Sequence, residues 1–121
     1  MHSSKLNETI AVKWFSAFNN HDLKSLIGLY DDDAKHYSPK LKIKYPETHG
    51  LIFGKEALRK WWKEAFEKNP DLRYEIKSLT SNDKRIFMEY TRIVPGEEDL
   101  YVAELLEINN GKIIYSRVYH G

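Results

Sequence analysis

The hydrophobic pattern of the chain changes its period at Pro70, and this change constrains the fold more than any other feature of the sequence. Before Pro70, apolar residues recur at helical spacing, first over residues 5–19 and most clearly over residues 54–68. After it, four segments alternate apolar and polar residues, and the turn sequences "SND", "PGEED" and "NNG" separate them. Helices followed by strands with short turns predict an α+β fold, with the helices packed on one face of an antiparallel meander.

The stretch "YDDDAKHYSP" at residues 30–39 joins these two halves of the pattern. Asp22 is expected to cap a short second helix, so that "YDDDA" ends this helix and forms the turn that leaves it. "KHYSP" is then a short first strand, and its alternation places Ala34, His36 and Ser38 on the inner face. The following "PKLKIKYPETHGLIFG" is predicted to be a long loop, with an edge strand as an alternative, and its lysines 40, 42 and 44 to be solvated.

Three aspartates followed by a histidine also raise the possibility of a metal site. In a turn, however, aspartates serve the backbone, and they would have to fold back to share an ion with His36. His2, His21 and His49 show no ligand spacing, and the sequence has no cysteine. We therefore expect no metal. The sequence has no phosphate loop or dinucleotide motif either, so no cofactor is expected.

The length and the charge of the chain limit its class of partner. With 121 residues the chain is predicted to form a single domain over residues 1–121. A formal net charge of +1 gives no reason to expect nucleic acid or an anionic membrane as a partner. No apolar run approaches a membrane span, and the polar start "MHSSKLNET" does not have the pattern of a signal peptide. A cytoplasmic protein is the expectation.

Several segments together resemble a known family. "WFSAFNNHDLKSLIGLYDDDA", then "GKEALRKWW", then a meander ending in "GKIIYSRVYHG" are similar to the SnoaL-like branch of the nuclear-transport-factor-2-like superfamily, over about residues 8–121. The resemblance implies a cystatin-like conical barrel, in which a strongly bent, mainly antiparallel sheet is wrapped by three N-terminal helices and a pocket opens at the wide end. Members include ketosteroid isomerases, polyketide cyclases, epoxide hydrolases, dehydratases and non-catalytic binders, and their sheet faces commonly pair. The resemblance therefore implies a homodimer but no particular chemistry.

The residues of ketosteroid isomerases are mostly replaced in this chain. The resemblance places their general-base aspartate on Ser38 and their oxyanion-donor tyrosine on Trp14, and serine cannot shuttle a proton near neutral pH without an activating base. A second tyrosine falls on Trp62, a third is matched by Tyr30, and their protonated aspartate falls on Glu104. Steroid isomerase activity is therefore not expected.

The inward-facing residues of the meander provide a different candidate site. Alternation groups Val102, Glu104, Leu106 and Ile108 on one face, and a carboxylate among apolar and aromatic neighbours has a raised pKa. On the last strand, Ile114, Ser116, Val118 and His120 are predicted to face inward, with Ile113, Tyr115, Arg117 and Tyr119 as the alternative set. The inner face of residues 85–94 stays open between two alternating sets, one of Phe87, Glu89 and Thr91 and the other of Met88, Tyr90 and Arg92. Arg92 and Arg117 are taken as surface or interface residues. The predicted catalytic residues are Glu104, His36 and His120. The predicted pocket residues are Trp14, Phe18, Tyr30, Ser38, Trp62, Leu106 and Ser116.

Two functions from different classes fit this site. One is a cofactor-independent enzyme that moves a proton on a small, largely apolar carbonyl compound, in an isomerisation, a cyclisation or a dehydration, with Glu104 as the acid or base and a histidine assisting. The other is a non-catalytic binding or carrier module for an aromatic or apolar metabolite. Water addition to an epoxide is less favoured, because only Glu89–Arg92 or Glu104–Arg117 could imitate the arrangement that it needs.

Overall fold

The computed structural model describes residues 2–120, with side chains described from Lys5 onward. Within this range the helices are α1 (His2–Asn19), α2 (Leu23–Gly28), α3 (Pro39–Lys44) and α4 (Lys55–Lys68), with one short 3-10 turn at Pro46–Thr48. The strands are β1 (Tyr30–Tyr37), β2 (Leu51–Phe53), β3 (Arg73–Ser81), β4 (Arg85–Ile93), β5 (Leu100–Asn109) and β6 (Lys112–His120). The predicted α+β plan is confirmed, and the meander predicted after Pro70 corresponds to β3–β6.

The six strands form one curled sheet in the order β2-β1-β6-β5-β4-β3. Neighbouring strands are antiparallel except for β1 and β6, which are parallel. The two edge strands, β2 and β3, are not paired with each other, so the curled sheet is not closed into a complete barrel. Helix α1 packs on β3 and β4, and α4 packs on β1 and β2. The concave face of the sheet is therefore covered by helices.

The acidic stretch lies in a strand and not in a turn, so the prediction of a helix end at "YDDDA" is wrong. Strand β1 begins at Tyr30, directly after α2, and its register against β6 shifts between Tyr30 and Lys35. The aspartates occupy this irregular part and are partly or fully exposed, whereas Ala34 and His36 are buried, as alternation predicted. The cause is pairing with a strand about 80 residues away, which overrides local turn preference. Among residues 5–120 no group of histidine, aspartate and glutamate side chains has an arrangement suited to a metal ion.

The stretch that follows β1 is not a plain loop. Ser38 caps α3, because its side chain accepts a hydrogen bond from the backbone N–H of Lys40 at 3.2 Å, and Pro39 occupies the first turn. The prediction of a loop for this part is therefore wrong, whereas the solvation predicted for the alternating lysines is correct. Leu41 is buried under this helix, while the lysines stay on its outside. The alternative of an edge strand is confirmed by β2.

Alternation predicts the inner face of β5 correctly and that of β6 only in part. Val102, Glu104, Leu106 and Ile108 are all buried. On β6, Ser116 is buried as predicted, but an irregular pairing beside Glu107 shifts the phase, so that Ile113 and not Ile114 points inward.

The two outer strands of the meander differ from their predictions in different ways. On β4 the open alternative is resolved, because Ile86, Met88 and Tyr90 are buried. Strand β3 is more exposed than a half-buried strand, because it is an edge strand. Among the described helices, only α1 packs on it extensively. No helix within the described residues is both long and apolar enough to span a bilayer.

Candidate functional site

A cavity of about 440 Å³ opens between the concave face of the sheet and helices α1, α3 and α4. Aromatic and aliphatic side chains make up most of its surface, and polar or charged side chains come from α3 and α4 as well as from the inner strands. Small-molecule sites combine apolar walls with polar groups in this way. Seven of the ten predicted site residues line it: Trp14, Phe18, His36, Ser38, Trp62, Glu104 and His120. The other three, Tyr30, Leu106 and Ser116, are buried but are not part of the lining.

Glu104 is the buried acid of the cavity wall. Its side chain is 2% exposed and lies on the central strand β5 between Met88 and Val118 of the neighbouring strands. Tyr90 donates a hydrogen bond of 2.8 Å to Oε1, and among the described residues Oε2 has no partner. Burial raises the pKa of Glu104 to about 8, and the hydrogen bond from Tyr90 offsets only part of this effect. Near neutral pH the carboxyl is therefore mostly protonated.

Four aromatic rings form a stack on one side of the cavity, and one of them, Tyr90, contacts this carboxyl. The ring of Tyr74 stacks on Tyr90 with a centroid distance of 4.1 Å and on Phe18 at 3.8 Å, and Trp14 stacks on Phe18 at 5.4 Å. Burial and the nearby Glu104 raise the pKa of Tyr90 well above its ordinary value, so the phenol stays a hydrogen-bond donor. The continuous stack gives the cavity an apolar aromatic wall, of the kind that can bury the apolar body of a ligand.

A chain of hydrogen bonds runs from Trp14 to His36. Trp14 Nε1 donates to Tyr30 Oη at 3.1 Å, Tyr30 donates to Ser116 Oγ at 3.5 Å, and Ser116 Oγ lies 2.6 Å from His36 Nδ1. With Tyr30 as the donor to Ser116, we assign the serine hydroxyl as the donor to His36 Nδ1. The ring proton of neutral His36 is then on Nε2, for which the described residues provide no partner. Ser116 thus contacts the histidine, Tyr30 contacts Ser116, and neither residue lines the cavity.

His36 is held in its neutral form by burial, which lowers its pKa to about 3. The ring is 2% exposed and packs beside Trp62, with a centroid distance of 5.1 Å. Among the described residues, no hydrogen bond joins Glu104 to His36 or to His120. The two buried groups are therefore separate, and Glu104 Oε2 and His36 Nε2 have no hydrogen-bond partner among the described residues.

Two further predicted residues of the lining differ in exposure: His120 lies at the mouth, which is the solvent-exposed part of the lining, whereas Ser38 is buried. His120 is exposed at the end of β6, and burial of part of its ring, followed by the charges of Lys40 and Arg92, lowers its pKa. Ser38 lines the cavity, but its hydroxyl is engaged as the cap of α3. His120 is thus a residue of the mouth and not a partner of Glu104.

Sequence reasoning missed eight polar residues of the lining: Lys40, Lys44, Glu64, Lys68, Asn69, Tyr74, Tyr90 and Arg92. Tyr90 and Arg92 belong to the same alternating set of β4 as Met88. Choosing this set as the inner face would have identified both residues. Arg92 was assigned to the surface, but its side chain is only 12% exposed. Lys40 could have been placed from the helix-start signal of Ser38 followed by proline.

Comparisons with known proteins are consistent in the fold that they indicate. The family model of the SnoaL-like domain matches residues 11–116. No curated protein matches the sequence significantly. A SnoaL-like protein of unknown function from Burkholderia thailandensis superposes with a TM-score of 0.87 at 21% identity, covering 97% of this chain and 95% of that one.

Two further solved structures have names that suggest an activity. A candidate ketosteroid isomerase from Kribbella flavida is 17% identical, with a TM-score of 0.81, over 98% of this chain and 79% of that one. AclR, a candidate hydroxylase from Streptomyces galilaeus, is 18% identical, with a TM-score of 0.76, over 98% of this chain and 76% of that one. At these identities the likeness shows a shared fold and leaves the chemistry to the site.

Proposed function

The chain belongs to the SnoaL-like domain family, and on that premise we propose that it catalyses cofactor-independent proton transfer on a small apolar carbonyl compound. Isomerisation, cyclisation by carbon–carbon bond formation and dehydration are reactions of this kind. One observation carries the proposal: Glu104 is a buried carboxyl with a raised pKa and an unpartnered oxygen in the wall of an open aromatic cavity. Perturbed acids in clefts are characteristic of acid–base sites.

The proposed step uses the ionised form of Glu104. The carboxylate takes a proton from the carbon next to the substrate carbonyl, the electrons of the broken C–H bond form a C=C bond, and the carbonyl oxygen receives the negative charge. Glu104, now protonated, returns the proton to the same carbon or to another one. With a pKa of about 8, roughly one carboxyl in ten is ionised at pH 7. The raised pKa makes this minor form a stronger base than an ordinary glutamate.

His36 is proposed to stabilise the oxygen that becomes charged. Its Nδ1 is occupied by Ser116, so Nε2–H is the atom that it can offer to the cavity. A neutral N–H donor fixed in a buried site needs no reorganisation when charge develops on the oxygen, and such preorganised donors account for a large part of many rate enhancements. His36 is not proposed to exchange protons itself, since burial keeps its pKa near 3.

Solvent deuterium exchange followed by NMR tests this function. 1-Tetralone, 2-tetralone and a steroid ketone would be incubated in D2O with the wild type, with Glu104→Gln and with Glu107→Gln. Glu107 is the matched control, because it lies on the same strand but on the outer face, near Arg85. We expect exchange of the α-protons in the wild type and in the control, and a loss of about a thousandfold in Glu104→Gln. Equal exchange by all three proteins would contradict the proposal.

A binding or carrier role is the second candidate, and the aromatic stack favours it. The rings of Trp14, Phe18, Tyr74 and Tyr90 form a continuous wall that needs no chemistry to hold a ligand. In that case Glu104 positions a polar group of the ligand, and Glu104→Gln keeps the affinity within a few-fold. Saturable line broadening of the ketones in the wild type and in Glu104→Gln, with no exchange in either, would identify this role.

We also propose that two copies pair through the outer face of the meander. Phe87, Tyr101 and Tyr119 lie on neighbouring strands of this face and are 42%, 68% and 43% exposed. Exposed aromatic side chains on one sheet face are costly unless they are covered by a partner. Size-exclusion chromatography with light scattering is the test, and a monomer at high concentration would contradict pairing.

A further inference from the structure

The mouth of the cavity is built from cationic side chains, in contrast to its neutral interior. Lys40 from α3, Lys68 from the end of α4, Arg92 from the end of β4 and His120 all line the cavity, and three of them, Lys40, Lys68 and His120, are exposed and so mark its mouth. The two lysines are exposed, while the Arg92 side chain is only 12% exposed. Positive charge is therefore concentrated where a ligand enters.

Few acidic groups balance this charge. Lys44 is paired with Glu64 at 2.9 Å, and Arg92 Nη1 lies 3.0 Å from Glu97 Oε1. Within the described part of the chain, no ion pair is formed by Lys40 or Lys68. The other acid of the lining is Glu104, which is mostly protonated near neutral pH. The mouth thus has a net positive charge.

These cations are close enough to repel one another. The pKa of Lys40 is lowered, first by partial burial and then by the charges of Arg92 and Lys68, with Glu97 acting in the opposite direction. The same direction and the same first cause apply to His120, whose neighbours are Lys40 and Arg92. Repulsion of this kind is relieved by a negative charge placed between the groups.

We propose that the ligand of this cavity is an amphipathic anion, with an apolar body against the aromatic wall and a carboxylate-type group at Lys40, Lys68 and Arg92. Arginine can hold a carboxylate through two parallel hydrogen bonds. Its partner Glu97 is half exposed, so an anion can share or replace that contact at little cost. Within the proposed function, this arrangement identifies the substrate class as an oxo acid or a similar anion whose carbonyl points inward, towards Glu104 and His36.

A matched pair of fluorescent probes separates charge from apolar burial. 1-Anilinonaphthalene-8-sulfonate and N-phenyl-1-naphthylamine share one aromatic skeleton and differ in the sulfonate. We expect the sulfonate to bind about tenfold more tightly at low salt, the order expected for a few partly exposed charge contacts. The preference should shrink when the ionic strength rises from about 0.01 M to about 1 M, because such contacts are screened.

Variants place the effect at the mouth. Lys40→Gln/Lys68→Gln, with and without Arg92→Gln, should remove most of the preference for the sulfonate and leave the affinity for the neutral amine unchanged. The double variant keeps the test valid if the partly buried Arg92 is needed for folding. The control is Lys13→Gln/Lys24→Gln, which removes the same charge from exposed positions on α1 and α2 outside the cavity lining. This control should keep the preference.

The outcomes distinguish this inference from the proposed function. Equal binding of both probes, tighter binding of the amine, the same loss in the control variant or no saturable binding of either probe would overturn the anionic ligand. A preference that depends on Lys40 and Lys68 supports it, whether or not ketones exchange deuterium. For the combined case, 5-oxo-5-phenylpentanoate should exchange its α-protons about tenfold faster than its methyl ester at subsaturating concentration, and only in proteins that keep both Glu104 and the mouth lysines.

Discussion

The inner end and the mouth of the cavity are built on opposite electrostatic principles. At the inner end, burial keeps Glu104 and His36 uncharged, and each is held by one hydroxyl from a neighbouring strand. At the mouth, Lys40, Lys68 and Arg92 stay charged and partly solvated. The difference teaches that position along the cavity determines what a side chain can do: buried groups are suited to proton transfer and directed hydrogen bonds, and exposed ones to attraction and orientation.

The largest effect on stability should follow from replacing the ionisable carboxyl at the inner end. Glu104→Gln keeps an acceptor for Tyr90 but can no longer ionise, so we expect a more stable protein at neutral and basic pH. In the unfolded chain a glutamate titrates near 4.5, whereas in the folded protein Glu104 titrates at about 8. The folded state therefore binds more protons between these values, and the stability of the wild type falls as the pH rises through this window. At pH 7 this loss reaches up to about 3 kcal/mol.

Urea unfolding of the wild type and of Glu104→Gln across pH 5–8 measures this effect. The difference between the two proteins cancels the contribution of His36, which changes with pH in the opposite direction because its folded pKa is lowered. Glu107→Gln on the outer face serves as the control and should follow the wild type. A constant difference between pH 5 and pH 8 would show that the carboxyl titrates normally.

The pH dependence of deuterium exchange is the next largest effect. If ionised Glu104 is the base, the second-order rate constant should rise about tenfold per pH unit up to about pH 8 and then level off. Tyr90→Phe removes the hydrogen bond that favours the ionised form, so the levelling point should move to higher pH. A rate that falls above pH 8 would instead assign the acid form to the rate-limiting step.

A smaller change is expected from the hydroxyl behind His36. Ser116→Ala removes the donor to Nδ1 without altering the cavity lining, so the ring should populate both tautomers. We expect exchange to slow about tenfold, as a partly misdirected donor would cause. The nitrogen shifts of His36 in a 15N-labelled sample report the tautomer directly. Ser78→Ala, at an exposed position on β3, is the control. A slower rate with an unchanged tautomer would refute the positioning role.

The smallest effect should come from the ion pair at the mouth. Lys44→Met breaks the pair with Glu64, but both side chains are about two-fifths exposed and Tyr45 also donates to the same carboxylate. Exposed pairs contribute little, so the midpoint of urea unfolding should change by no more than the experimental error. A clear loss of stability would mean that the mouth is as tightly coupled as the inner end, and the contrast between the two would no longer hold.

The same contrast explains how far sequence reasoning reached. Strand alternation identified Glu104 and its apolar neighbours, because a face buried along a whole strand leaves a period of two in the sequence. It did not identify the inward direction of Ile113, because an irregular pairing changes the phase without a sequence signal. The mouth depends on α3, whose six residues are too few for a clear period, so Lys40 was assigned to a loop. The inward direction of Tyr90 could not be predicted, because the two alternating sets of residues 85–94 are equally regular.

The parallel pairing of β1 with β6 has a consequence for how the protein acquires its site. The contact between His36 and Ser116 joins positions 80 apart in sequence, and that between Tyr30 and Ser116 spans 86. Closing such long loops is slow and entropically unfavourable until many contacts form together. During synthesis on the ribosome, the edge of β1 that pairs with β6 therefore stays unpaired until the whole meander has been made. Nascent chains of this protein should remain sensitive to protease and accessible to chaperones until β6 emerges from the exit tunnel.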